Sequence, residues 1–282
     1  MTQAAIPPLF VEKTAGTLIQ GDALKVLASF KEQTFRCCVT SPPYWGLRDY
    51  GIDGQVGAES NLDDYIKHLA LIFREVRRVL TNDGTLWLNI GDSYTSGGRT
   101  WRDADKKNPA RGMTYRPDTP QGLKPKDLIG VPWRLAFALQ ADGWYLRSDI
   151  IWHKPNCQPE SVKDRPTRSH EYVFLLSKSE KYFYGHEATR EAATEMGKTR
   201  SRRTVWPINT EAYPGAHFAT FPVKLVEPCI LGGSEEGDEV LDPFFGSGTT
   251  GVACTFLNRK FTGIEVNSDY VKLARHRLGW DA

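Results

Sequence analysis

The stretch Asp242-Pro243-Phe244-Phe245-Gly246-Ser247-Gly248-Thr249-Thr250-Gly251 decides the fold. It follows the apolar run Glu239–Leu241, which reads as a strand, and leads into a helical pattern that runs to about Leu257. Gly246, Gly248 and Gly251 fit G-x-G-x-x-G, and their place between a strand and a helix is that of a nucleotide-binding turn. The glycines alone do not separate nicotinamide, flavin and S-adenosylmethionine. Asp242 does so on chemical grounds: a carboxylate at the strand end repels a pyrophosphate and attracts the ammonium and sulfonium of a cofactor that carries no phosphate. Glu265 ends the next strand, Lys260–Ile264, where an acid accepts hydrogen bonds from both ribose hydroxyls. The plainer reading, a tight turn with a solvated acid, explains the glycines but not their company.

Outward from this turn the chain alternates strands and helices. Ser268–Leu278 reads as the last helix, and Pro222–Leu231 as a helix that pauses at Gly232-Gly233. Toward the N-terminus, Thr17–Gln20 and Phe35–Thr40 read as strands with the helix Ala23–Phe30 between them. Leu62–Leu80 carries Leu62, Ile66, Leu69, Phe73, Val76 and Leu80 on one helical stripe. Asn82-Asp83-Gly84 reads as a turn and Thr85–Ile90 as a strand. A helix Leu128–Ala141 and strands Tyr145–Trp152 and Glu171–Ser177 follow. Alternation of this kind predicts an α/β fold with a largely parallel sheet, here as a single domain over residues 1–282.

The second chemical motif is Thr40-Ser41-Pro42-Pro43-Tyr44-Trp45, at the carboxyl end of the strand Phe35–Thr40. Ligands of open α/β sheets bind at that edge. Two prolines stop the strand and expose carbonyl oxygens that no ladder uses. An exocyclic amino group on a base is a poor nucleophile because its lone pair is delocalised into the ring. Acceptors aimed at its two N–H bonds hold the nitrogen pyramidal and point the lone pair at a methyl donor. Ser41 Oγ and the Pro42 carbonyl are the expected acceptors. Pro43 fixes the turn, and Tyr44 stacks on a base flipped out of its duplex. A proline-stiffened turn around a buried aromatic is the plainer alternative.

The 282 residues carry a net charge of +2, with 40% hydrophobic and 25% charged residues, which fits a globular chain and excludes a strongly basic nucleic-acid coat. Basic residues are instead local. Residues 93–127 form a polar, glycine- and proline-rich insertion with Arg99, Arg102, Lys106, Lys107 and Arg111. Residues 182–215 contain Lys198, Arg200, Arg202 and Arg203. Both segments suit phosphate contacts, and both also read as solvated loops. The five cysteines include no C-x-x-C pair and the six histidines no H-x-x-x-H pair, so no metal site and no disulfide framework is expected. There is no run of about 18 apolar residues and no signal peptide at Met1–Phe10, so a reduced, cytoplasmic setting is expected.

With both motifs in view, the chain resembles the DNA amino-methyltransferase family, in the β arrangement that places the catalytic motif before the cofactor motif. The resemblance implies a Rossmann-like methyltransferase fold with a mostly parallel seven-stranded sheet, one strand reversed, and S-adenosylmethionine as cofactor. It implies that Leu18–Asp22 brings Asp22 toward the cofactor adenine. It also implies that the segment His217–Pro222 brings Phe221 to the methionine end. The implied cofactor set is therefore Asp22, Phe221, Asp242, Pro243, Phe244, Gly246, Ser247, Gly248, Thr249, Thr250 and Glu265. Leu80–Asp92, Asp149–Pro155 and His170–Phe174 resemble the strands around the target pocket, and residues 182–215 the target-recognition segment.

Ser at the first catalytic position resembles members that methylate N4 of cytosine, whereas Asp there resembles those that methylate N6 of adenine. The expected partners are double-stranded DNA, a second copy of the chain and a cognate restriction endonuclease. N6 of adenine stays open as the alternative target, because Ser and Asp both serve only as acceptors there. Three other readings also remain at this point: a methyltransferase for RNA or a small amine, a nicotinamide-dependent oxidoreductase, and a non-catalytic DNA-binding module.

Overall fold

The computed structural model describes residues 16–47, 55–95, 117–211 and 221–280. Strand β2 (Phe35–Thr40) lies at its centre, with Phe35, Cys37, Cys38 and Val39 all buried, as an apolar strand covered on both faces must be. It pairs in parallel with β3 (Leu80–Ile90) on one side and β9 (Glu239–Asp242) on the other. Beyond β9 lie β10 (Lys260–Glu265) and β1 (Gly16–Gln20), both parallel. Beyond β3 lie β5 (His170–Ser177), antiparallel to both neighbours, and β4 (Tyr145–His153). These are the seven expected strands, and β5 is the reversed one.

An eighth, β8 (Val205–Pro207), extends the edge in parallel with β4. It comes from the polar stretch 182–215, where no strand is predicted. That stretch also forms a separate hairpin of β6 (Glu191–Ala192) and β7 (Thr199–Arg200).

Helices cover both faces. α1 (Ala23–Ser29), α2 (Leu62–Val79) and α3 (Val131–Ala141) pack on one side with Cys38, Leu86, Leu88 and Phe174. α4 (Val223–Gly233), α5 (Thr249–Phe256) and α6 (Ser268–Arg277) pack on the other with Cys37, Val39, Trp87 and Val240. Helix α2 buries Leu62, Tyr65, Leu69, Ile72, Phe73, Val76 and Val79, and Asn61 caps it by accepting a bond from Asp64 N. The buried stripe includes Tyr65 and Ile72, which the apolar spacing passes over, and leaves Ile66 only partly buried.

Three boundaries differ from expectation for local reasons. The turn at Asn82–Gly84 is absorbed into β3: the pairing jumps from Phe35–Leu80 to Cys37–Thr85, so residues 81–84 bulge out, held by an Arg36–Asp83 ion pair at 2.6 Å. Helix α3 starts at Val131 rather than Leu128, because Asp92 accepts from Gly130 N at 2.9 Å and Val131 N at 3.0 Å and caps the helix there. Helix α4 runs through Gly232 and Gly233, where its packing against β2 and β3 outweighs a propensity cost of about 1 kcal/mol per glycine.

The chain leaves β2 toward β3 but leaves β9 toward β10, in opposite directions across the sheet. A crevice therefore opens beyond the carboxyl ends of β2 and β9, where such sheets bind ligands.

Candidate active site

The turns after β2 and β9 meet in that crevice through one buried carboxylate. Asp242 ends β9. Its Oδ1 accepts from Thr40 Oγ1 at 2.6 Å and Phe244 N at 3.1 Å, and its Oδ2 accepts from Thr250 Oγ1 at 2.6 Å. Thr40 is the last residue of β2, so the bond joins two turns that lie 202 positions apart in sequence. Burial pushes the Asp242 carboxyl up to about 6, against the pull of its bonds to Thr250, Thr40 and Phe244. This corrects the expectation from sequence. Asp242 is only 1% exposed and is not among the residues that line the cavity, so it fastens the cofactor turn from behind. Thr250 and Gly248 stand with it outside the lining. Thr250 is spent on Asp242, and Gly248 takes a φ of 83° to start α5.

The cavity itself measures about 500 Å³ and is lined by both motifs. At one end stand Asp22, Pro243, Phe244, Gly246, Ser247, Thr249 and Glu265, and Phe221 also lines the cavity, where it borders a small adjoining recess with Thr40, Asn89 and Val173. Glu265 Oε2 accepts from Gly246 N at 2.8 Å, and Oε1 accepts from Asn267 N at 2.8 Å. The two carboxylate oxygens together offer more acceptor sites than these backbone bonds use, which leaves capacity for a ribose hydroxyl. Burial raises the Glu265 carboxyl above its ordinary value, opposed by the backbone bonds from Asn267 and Gly246. Asp22 caps α1 through Lys25 N at 3.0 Å. Phe244, Ile264 and Val266 supply apolar wall. Acidic acceptors between aromatic and aliphatic walls fit a cationic adenosyl cofactor. Sequence reading passed over Asn267 and Tyr270 of this wall, which follow Glu265 closely in the chain.

At the other end stand Ser41, Pro42, Pro43 and Tyr44. The Pro43 carbonyl accepts from Tyr65 OH of α2 at 2.8 Å, which pins the turn to the core. The Tyr44 hydroxyl donates to Glu171 Oε2 at 2.8 Å. Asn89 Nδ2 donates to the Tyr172 carbonyl at 3.1 Å and to Glu171 Oε2 at 3.3 Å. Lys154 pairs with the other Glu171 oxygen, and its ammonium lies 4.1 Å over the Trp152 ring. A Cβ on Gly91 would come within 2.7 Å of Tyr44 Cε2, so only glycine lets the ring lie there. Behind the turn, Trp45 Nε1 donates to the Glu59 carbonyl at 2.9 Å, and Glu59 Oε1 meets His68 Nδ1 at 2.8 Å. The Glu59 bond holds His68 above its ordinary value, against burial.

The basic candidates fare differently. Arg99, Arg102, Lys106, Lys107 and Arg111 lie outside the described residues. Lys198 pairs with Glu195 at 2.7 Å, and Arg200 pairs with Glu191 at 2.9 Å. Arg202 donates to the Thr189 carbonyl at 3.1 Å. Neither these three nor Arg203 lines the cavity; the segment 182–215 reaches it at Thr210, which Asn156 anchors at 2.8 Å. Among the described residues no group of three or more His, Cys, Asp or Glu is placed to hold a metal, and no helix is long and apolar enough to cross a membrane.

Comparison with known proteins agrees with this geometry. The chain is 66% identical over 263 residues to the Type II methyltransferase M.SmaI of Serratia marcescens, covering 93% of this chain and 90% of that protein. It is 63% identical over 268 residues to M.Cfr9I of Citrobacter freundii, covering 95% and 89%. Protein TTHA0409 of Thermus thermophilus, solved with S-adenosyl-L-methionine, superposes with a TM-score of 0.67 at 26% identity over 94% of this chain and 93% of that one. The cytosine-N4-specific PvuII DNA methyltransferase superposes with a TM-score of 0.68 over 93% and 86%; at 22% identity this speaks to fold alone. Residues 35–276 match the DNA methylase model of N6 and N4 methyltransferases, and the chain belongs to that S-adenosylmethionine-dependent family.

Proposed function

We propose that the chain is a Type II modification enzyme that methylates N4 of a cytosine flipped out of double-stranded DNA. The observation that carries this reading is that Ser41 and Pro42 border the same cavity as Glu265. An amino group placed against the first pair therefore shares one cavity with the cofactor. S-adenosylmethionine, when bound, supplies an electrophilic methyl group on a sulfonium. The chain's residues do the rest. Glu265 and Asp22 hold the adenosine end. Ser41 Oγ and the Pro42 carbonyl accept from the two N–H bonds of the amino group and hold its nitrogen pyramidal. The neighbouring Pro43 carbonyl is taken by Tyr65, so the Pro42 carbonyl is the one assigned to the base. Tyr44 packs against the base with its hydroxyl tied to Glu171, which fixes the ring.

Cytosine is favoured over adenine by Ser41 in place of an acid, following the family resemblance. The relatives M.SmaI and M.Cfr9I are Type II methyltransferases, which supports a place in a restriction–modification pair beside a cognate endonuclease. Phosphate contacts are assigned to Arg99, Arg102, Lys106, Lys107 and Arg111 of the insertion. The test is to digest DNA modified by the protein and identify the methylated nucleoside by mass spectrometry. N4-methylcytosine is expected; N6-methyladenine would overturn the base assignment.

A further inference from the structure

We propose that Lys154 is the specificity-determining residue of the target pocket, donating hydrogen bonds to the O2 and N3 acceptors of the flipped cytosine. This rests on the cytosine reading above. The pyrimidine presents three groups in a row along its pairing edge: the N4 amino donor, then the N3 and O2 acceptors. Ser41 Oγ and the Pro42 carbonyl serve only the first. The other two need a donor, and several polar groups at this end of the cavity have their hydrogens committed. The Tyr44 hydroxyl donates to Glu171, and Asn89 Nδ2 donates to both Glu171 and the Tyr172 carbonyl. The Lys154 ammonium carries three N–H bonds and spends one on Glu171 Oε1 among the described residues.

Its position is fixed from two sides. The Trp152 ring supports it at 4.1 Å, and Glu171 holds it in a pair whose side chains are 17% and 18% exposed. An ammonium held this way has already lost the freedom that a solvated lysine gives up on binding. Glu171 also cancels its charge, so the pocket offers directed donors without a net field that would draw in a phosphate. Glu171 thereby links the two ends of the base site, holding Tyr44 through Oε2 and Lys154 through Oε1. Adenine fits this arrangement poorly. Beside its amino group lies one ring acceptor and then a C–H, which leaves a second Lys154 N–H unmet. Discrimination between the bases then comes from the far side of the ring as well as from Ser41.

The experiment uses duplexes whose target cytosine is replaced by 2-thiocytosine, a weak acceptor at position 2, or by 3-deazacytosine, which lacks the N3 acceptor. The product of the unmodified enzyme on the natural site is identified first. The wild type is expected to lose roughly 10- to 100-fold in kcat/KM on each analogue, the usual range for a hydrogen bond to a charged group. Lys154→Met is expected to lose a similar factor on cytosine, and to show less than about a threefold further loss on the analogues because the lost bonds are the same ones. The double variant Lys154→Met/Glu171→Gln avoids an unpaired carboxylate and is expected to behave likewise. Calorimetric titration with S-adenosylmethionine checks that each variant keeps its cofactor site. Wild-type indifference to the analogues, or full analogue discrimination retained in the variants, would overturn the assignment to Lys154 while leaving the cytosine reading intact. A product of N6-methyladenine would remove the cytosine reading and this assignment with it.

Discussion

Asp242→Asn separates the two consequences of burying a carboxylate behind the cofactor turn. Burial lifts the acid from an ordinary 3.8 to about 6. At about 1.4 kcal/mol per pH unit, the ionised form costs the fold roughly 3 kcal/mol at neutral pH. The sign follows from the direction of the shift. A carboxyl raised in the folded state binds its proton more tightly there. Its contribution is therefore fully present below about pH 3.8 and is lost as pH rises through about 6. Asparagine matches the protonated acid in shape, accepting from one threonine hydroxyl and donating to the other. The variant and wild type are thus expected to be equally stable near pH 4. They should diverge between pH 4 and 6, and above that the variant should be more stable by roughly 3 kcal/mol. Urea unfolding followed by tryptophan fluorescence at several pH values measures this, provided the slope against urea stays constant. A difference that does not vary with pH, or a variant less stable at pH 7, would refute the account of Asp242 as a costly buried charge. A charge retained at such cost implies a use for it. Asp242 also helps to raise the Glu265 carboxyl, so its field reaches the cavity wall. Cofactor binding should accordingly weaken in the more stable variant.

Glu265→Gln removes a carboxylate from the ribose end, and S-adenosylmethionine affinity should fall by about 1.5–3 kcal/mol; unchanged affinity by calorimetry would remove Glu265 from the site. Ser41→Ala should slow single-turnover methyl transfer roughly a hundredfold or more while cofactor affinity holds, since it deletes one preorganised acceptor; a matching loss of cofactor affinity would place Ser41 elsewhere. His68→Asn tests the brace behind the catalytic turn. The raised value of His68 means that its pair with Glu59 stabilises fully below the ordinary 6.5 and fades as pH climbs past the folded value. The stability gap between wild type and variant should therefore narrow on the alkaline side, and a constant gap would refute the pairing.

The sheet was legible because its strands are written as apolar runs ending in glycine, proline or an acid, and these stops coincide with the carboxyl edge. Phe35–Thr40 is the clearest case, with its observed bounds equal to the predicted ones. Residues that line the cavity directly after such stops, Ser41 to Tyr44 and Pro243 to Ser247, were readable for the same reason. Lys154 and Glu171 were less so. Lys154 follows β4 and Glu171 stands near the start of β5, but they come together only because β5 runs antiparallel, which brings its first residues to the edge where β4 ends. A charge at the start of one strand and another at the end of its neighbour signals nothing until the pairing direction is known. The segment 182–215 was opaque because β6, β7 and β8 have only 2, 2 and 3 residues, too few for any period to emerge. The basic residues there read as free charge, yet Glu191 and Glu195 neutralise two of them across the hairpin and its turn.

Asp242 explains why the order of the two motifs along the chain does not matter to the chemistry. The catalytic turn follows β2 and the cofactor turn follows β9, and these strands are neighbours with Cys37 opposite Val240 and Cys38 opposite Leu241. No residue between them in sequence is needed to set their spacing; the ladder does that, and the Thr40–Asp242–Thr250 bonds lock the two turns together above it. A chain that begins with β9, joins α6 to β1 and ends with α4 would build the same crevice, provided its new connections stay outside the carboxyl edge. The permuted order here is thus compatible with an unchanged site, because the site depends on sheet adjacency and on one buried carboxylate. The insertions are then free to vary: the connections between β3 and α3 and between β5 and α4 carry the polar segments, while the strands they leave from hold Asn89 and Glu171 in the pocket.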